Sequence, residues 1–175
     1  MLKLTGAVVV LLACAGFLHS WQSSWKSRIR ELEQLCRLYR SARHAMEEER
    51  IHIPDFVRRY RCQECPKESA ANAMLEYLES FLKEHSYSTG EEAFRQACLQ
   101  TREAWHLSGE EWEALLHSGG SFFGRNLAEN AQGLLLCEEK MKAFCQRAGQ
   151  EYREKNKVWT PVGMLLGVMI VVVLL

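Results

Sequence analysis

The chain has 175 residues, with 22 basic and 22 acidic side chains and a pI near 7.0. That balance excludes the strong positive bias of a nucleic-acid binder and gives no sign of a highly charged partner. The placement of the charge is more informative. Lys3 is the only charged residue before position 21 and none follows Lys157, so all the remaining charge lies between two apolar ends.

In chain order, the first element is LTGAVVVLLACAGFL, residues 4 to 18. Extended to Trp21 it holds about 18 residues, roughly 27 Å of helix at 1.5 Å per residue, the length of a thin bilayer crossing. Within it, LLACAG sets up two readings of Cys14. Lys3, the apolar run and Ala13 resemble a lipoprotein signal, which would leave an acylated Cys14 and an extracytoplasmic module, although Leu12 is bulky where a small residue is usual. The alternative is a retained membrane helix. Lys26, Arg28 and Arg30 follow the first run, and Arg153, Lys155 and Lys157 precede the second, residues 158 to 175. By the positive-inside rule the middle of the chain is then cytoplasmic, which favours two membrane helices over a lipid anchor.

The expected organisation is therefore a transmembrane helix at 1–21, a helical domain at 22–157 and a transmembrane helix at 158–175. The domain reads as helical almost throughout. Trp25, Ile29, Leu32, Cys36, Tyr39 and Met46, widened by Leu35, Leu38 and Ala42, recur at steps of three and four, giving one long amphipathic helix to about Arg50. Pro54 begins a second helix with Phe56, Val57 and Tyr60 on its apolar face. Pro66 opens a third, carrying Ala70, Ala73, Met74, Tyr77, Leu78, Phe81 and Leu82. After HSYSTG, Ser88 and Glu91 have the spacing of a capping box for a helix presenting Phe94, Ala97, Cys98, Ala104 and Trp105. Ser108 and Glu111 form a second such box, before Trp112, Leu115 and Leu116. GGSFFGRN (119 to 126) reads as a loop. Asn126 and Glu129 then cap a last helix with Leu127, Leu134, Leu135, Met141, Phe144, Cys145 and Tyr152 facing inward, uninterrupted before Pro161. No segment alternates with period two. The fold class is all-α, a bundle of about six helices between two terminal membrane helices.

Chemistry is sparse. CQEC (Cys62, Cys65) has metal or redox spacing, but zinc needs four ligands, and only His44 and His52 lie near in sequence. The other cysteines fall on or near apolar stripes and read as small core residues. His106 and His117, near helix ends, suit the negative end of a helix dipole. EEER (47 to 50) reads as a solvated face, and EYREKNK (151 to 157) as another that also meets anionic headgroups. There is no glycine-rich phosphate loop and no GxSxG. No enzyme activity, catalytic residue, cofactor, metal site, nucleic acid or small-molecule substrate is expected. Two features suit interfaces. Phe122 and Phe123, with Gly124 beside them, either plug the bundle from below or dock a partner. Gly163 and Gly167, in GMLLG, have the spacing for close approach of membrane helices, within one chain or between two copies.

MLKLTGAVVVLLACAGF at one end, FGRN before a long helix with Gln132 near its start, and REKNKVWTPVGMLLGVMIVVVLL at the other end together resemble the stage III sporulation protein AB family of endospore-forming bacteria. That family usually carries a Leu-Gly-x-Ser-Asp element before the last helix. Phe123 and Gly124 match its first two positions, whereas Asn126 and Leu127 stand in place of the serine and aspartate, so no role of that acid carries over. The resemblance implies a component of a mother-cell membrane assembly that joins the forespore through a channel. It also implies a soluble domain similar to the cytoplasmic domain of type II secretion and type IV pilus platform proteins. By that analogy the bundle would receive the cytoplasmic ATPase of the sporulation complex.

Overall fold

A computed structural model describes residues 2–84, 89–124 and 126–174; near both ends and at 127, many residues are described through their backbone alone. Among the described residues there is no strand. Seven helices follow one another: α1 (Leu2–Glu47), α2 (Ile53–Gln63), α3 (Ala70–Glu84), α4 (Gly90–Gln100), α5 (Gly109–His117), α6 (Gly119–Phe122) and α7 (Leu127–Leu174), with a 3-10 turn at Arg102–Ala104. The chain divides into two compact units, one of residues 1–29 with 146–175 and one of residues 30–145. No helix is long and apolar enough to cross a membrane when only the described residues are considered, and in the expected spans at 4–21 and 158–175 many residues are described through their backbone alone. Cys14 is one of these.

The larger unit is built on the stripe that the first helix carries. Leu32, Leu35, Leu38, Tyr39, Ala42, Ala45 and Met46 are all buried. Burial of the leucines and the methionine contributes about 1.5–3 kcal/mol each before the entropy of ordering the chain is set against it. The helix stops at Glu47, three residues short of the expected end. Arg50 adopts a left-handed φ of 51°, and the Ile51 N–H reaches back to the Ala45 carbonyl at 3.2 Å. Pro54 sits in the first turn of α2, where its missing N–H costs nothing, and Phe56, Val57 and Tyr60 are buried as expected.

Two helix starts differ from the sequence reading. The third helix begins at Ala70, because Ser69 Oγ accepts from the Asn72 N–H at 3.1 Å and donates to the Pro66 carbonyl at 2.7 Å, a side-chain cap three residues after the proline. Thr89, with extended backbone, caps α4 by accepting from the Glu92 N–H at 3.4 Å. The expected cap Ser88 lies outside the described residues. The Ser108–Glu111 box is present, with the Ser108 N–H on Glu111 Oε2 at 2.7 Å. The segment 119–126, expected as a loop, holds the single helical turn α6 before it reaches α7. Ala104 is exposed on the 3-10 turn, and Trp105 alone of that pair is buried, its Nε1–H on Thr101 Oγ1 at 3.3 Å.

In the second half of this unit α3 packs on α2 and α4, and α4 on α5 and α6. Cys98 and Met74 meet between α3 and α4, sulfur to sulfur, at 3.5 Å. On α7 the buried stripe within this unit is Asn130, Ala131, Leu134, Glu138, Met141 and Phe144. Leu135, expected inward, is partly exposed, and Leu136 is 60% exposed.

The smaller unit pairs the first helix with the last. Gln22 Nε2 donates to Asn156 Oδ1 at 3.0 Å. Trp21 packs against Trp25 and Tyr152 with ring centroids 6.2 and 6.4 Å apart. Pro161 lies inside α7, which continues through it to Leu174.

Candidate interaction site

Of the residues expected at an interface, Phe122 and Phe123 part company. Phe122 is buried, stacked on Phe94 at 5.3 Å and tilted against Tyr39 at 5.7 Å. Two aromatic contacts at these distances each add about 0.5–1.5 kcal/mol beyond the area buried, which makes Phe122 a plug. The turn α6 delivers it there. Gly119 lets that turn close on α4, since a Cβ at this position would sit 3.1 Å from Phe94 Cδ1. Beneath the plug, Tyr39 donates its hydroxyl to Ser118 Oγ at 2.8 Å, and the Ser118 hydroxyl donates in turn to the Leu115 carbonyl at 2.7 Å. Burial drives the Tyr39 phenol well above its usual range, and the hydrogen bond with Ser118 opposes this only in part.

Phe123 is half-buried and lies against Gly90, whose hydrogen leaves room that a Cβ would take from the ring. It lines a cleft of about 480 Å³ with Met46, Ile53, Leu82, Gly124 and Asn130. Gly124 is held from behind by Asn130. The buried carboxamide donates Nδ2–H to the Gly124 carbonyl at 3.1 Å, and its oxygen fills the space where a Gly124 Cβ would go. Asn126 accepts from the Ala128 N–H through Oδ1 at 3.1 Å, so α7 starts from this same segment. A second cleft of about 560 Å³ lies between Met46, Arg50, Ala131, Gln132 and Leu135. Met46 and Arg50 line both clefts. The surroundings of Gly163 and Gly167 fall outside the described residues.

Sequence reading missed the polar ties of this unit. Glu138, buried on α7, accepts from Arg40 Nε at 2.8 Å and from its terminal nitrogen at 2.7 Å, with Arg43 at 3.8 Å on the other oxygen. Glu31, buried on α1, takes the His106 N–H at 2.7 Å and faces its Nδ1 at 2.7 Å. His106 is thus fixed by a carboxylate as well as by its place after a helix. The available signal was an acid inside an apolar stripe, at Glu31 beside Leu32 and at Glu138 between Leu134 and Met141, since such acids need partners.

The cysteines follow burial. Burial, with Cys145 nearby, pushes the Cys36 thiol to about 11, and burial alone pushes Cys98 to about 12. In CQEC, Cys62 is exposed, while Cys65 shares a 3.4 Å hydrogen bond with Ser69 Oγ and is raised by burial. Among the described residues no group of three or more His, Cys, Asp or Glu is placed to hold a metal ion.

Within residues 30–145 the fold is all-helical, tied by buried carboxylate–arginine contacts and closed by an aromatic plug. The chain belongs to the stage III sporulation protein AB family, whose sequence profile matches residues 3–175. A solved structure described as stage III sporulation protein AB superposes with a TM-score of 0.64 at 15% identity, over 73% of this chain and 97% of that one, which shows the shared fold. No curated protein sequence matches. Family membership makes the chain a component of the stage III sporulation machinery.

Proposed function

We propose that this chain is a non-enzymatic platform in the mother-cell membrane facing the forespore, anchored by both ends, whose cytoplasmic body docks the motor ATPase of the sporulation channel complex. The observation that carries the reading is the placement of charge along continuous helices. The uncharged runs, at 4–18 and at 158–174, belong to α1 and α7, and the same two helices continue into the charged residues. Lysines and arginines cluster just inside both runs, as the positive-inside rule asks of a cytoplasmic body. The body offers the two clefts around Met46 and Arg50, with the exposed Leu136 on α7, as the surface for a protein partner.

The test is co-purification of the ATPase with the full chain from sporulating cells. Arg50→Glu and Leu136→Asp are expected to lower ATPase recovery at least about tenfold, the loss typical of a central contact, with helical content by circular dichroism unchanged. Undiminished recovery with both variants present and folded removes the ATPase from this surface.

A further inference from the structure

The neutral whole conceals two charged parts. The smaller unit carries seven basic residues against two acidic, and the larger fifteen against twenty, so net charges of +5 and −5 cancel. In the smaller unit Lys26, Arg28, Arg153, Lys155 and Lys157 stand close to the uncharged runs, with Glu151 and Glu154 among them. Two of the cations converge on one ring. The Arg28 guanidinium lies 5.1 Å, and Lys155 Nζ 4.6 Å, from the Trp25 ring centroid. Lys155 also has Glu151 at 3.9 Å. Trp25 is backed by Trp21, which packs in turn on Tyr152, and the Gln22–Asn156 hydrogen bond closes the pair of helices beside them.

Such a cluster has the chemistry of a bilayer surface. Tryptophan and tyrosine rest at headgroup depth, with the ring in the apolar layer and the N–H or O–H in the wet one. Arginine and lysine within cation–π reach of one indole concentrate positive charge beside the ring, and a headgroup phosphate supplies a counter-charge to it. We propose that this aromatic and basic collar binds the headgroup phosphates of anionic phospholipids, making such lipid a specific ligand of the chain. The proposal rests on the membrane reading above and adds a headgroup preference to it. Basic residues near an anionic surface strengthen attachment by about fivefold each, so the collar amounts to a preference of orders of magnitude when several act together.

The experiment uses the full chain in non-ionic detergent, titrated with phosphatidylglycerol or phosphatidylcholine, with bound lipid counted by native mass spectrometry. Phosphatidylglycerol is expected to bind at least about tenfold more tightly. Arg28→Gln combined with Lys155→Gln should bring the two lipids within about threefold of each other. Glu151→Gln, which removes a competing anion, should widen the preference and carries the test if the double variant does not fold. Equal affinity for the two lipids, an unchanged ratio in Glu151→Gln, or displacement of phosphatidylglycerol by millimolar inorganic phosphate overturns the proposal. Flotation with vesicles separates the two readings. A chain that floats with phosphatidylcholine vesicles yet shows no headgroup preference defeats the collar alone, and a chain that floats with neither vesicle defeats the membrane anchor as well.

Discussion

Glu79 shows what one carboxylate does in this body. It accepts from Lys83 Nζ at 2.7 Å within α3 and from an Arg61 terminal nitrogen at 2.9 Å on α2. The hydrogen bond from Lys83, and after it the charge of Arg61, hold its carboxyl below the ordinary glutamate value of 4.5. A lowered folded pKa means that the unfolded chain takes up the proton first. The stabilisation is therefore complete above about pH 4.5 and is lost as pH falls through the lowered value. Glu79→Gln is expected to lower the melting temperature at pH 7 while flattening its decline below pH 4.5; an acid limb as steep as that of the parent would contradict the assignment. The Lys83 partner was legible, being four residues on in a helix. Arg61 was not, because its pairing depends on how α2 crosses α3, and periodicity carries no crossing angle.

At the scale of elements, the helices were legible because their apolar stripes are nearly uninterrupted. Their ends were less so. Ser69 and Thr89 cap the two helices, where the sequence points to a helix start at Pro66 and a cap at Ser88, since several polar residues in each stretch suit the role and only the path of the chain selects one. The α6 turn was missed because two glycines argue for a loop, whereas here Gly119 permits a close approach to Phe94 that offsets the poor helix propensity. Leu135, expected inward, is not: the stripe steps from Leu134 to Glu138 and Met141 and leaves Leu135 and Leu136 toward solvent. Two glycines of α7 test this view of the helix. A Cβ on Gly133 would lie 2.8 Å from Ser121 Oγ and 3.0 Å from its Cβ, whereas nothing lies within 4 Å of one on Gly149. Gly133→Ala should destabilise by about 1–3 kcal/mol as an overpacking change, and Gly149→Ala should stabilise by about 1 kcal/mol through helix propensity, both read from chemical denaturation. The same sign for both would contradict the packing at Ser121.

For the whole molecule, the split of charge between the two units and the uncharged runs of α1 and α7 are what the proposed membrane anchoring and cytoplasmic body rest on. The family was legible in the terminal runs and in FGRN, and the buried carboxylates Glu31 and Glu138 explain how a body with so much charge still closes around α1. The ATPase surface was not legible, because a docking face on a mixed-charge helix bundle has no fixed residue pattern. Cys62 gives the most direct test of orientation. It is exposed on α2, whereas Cys36 and Cys98 are raised to about 11 and 12 and stay protonated near neutral pH. Membrane vesicles of both orientations are treated with a membrane-impermeant maleimide, and the label is located by peptide mass. The account predicts modification of Cys62 in inverted vesicles and its protection in sealed right-side-out ones; modification of Cys62 in the right-side-out vesicles would contradict it.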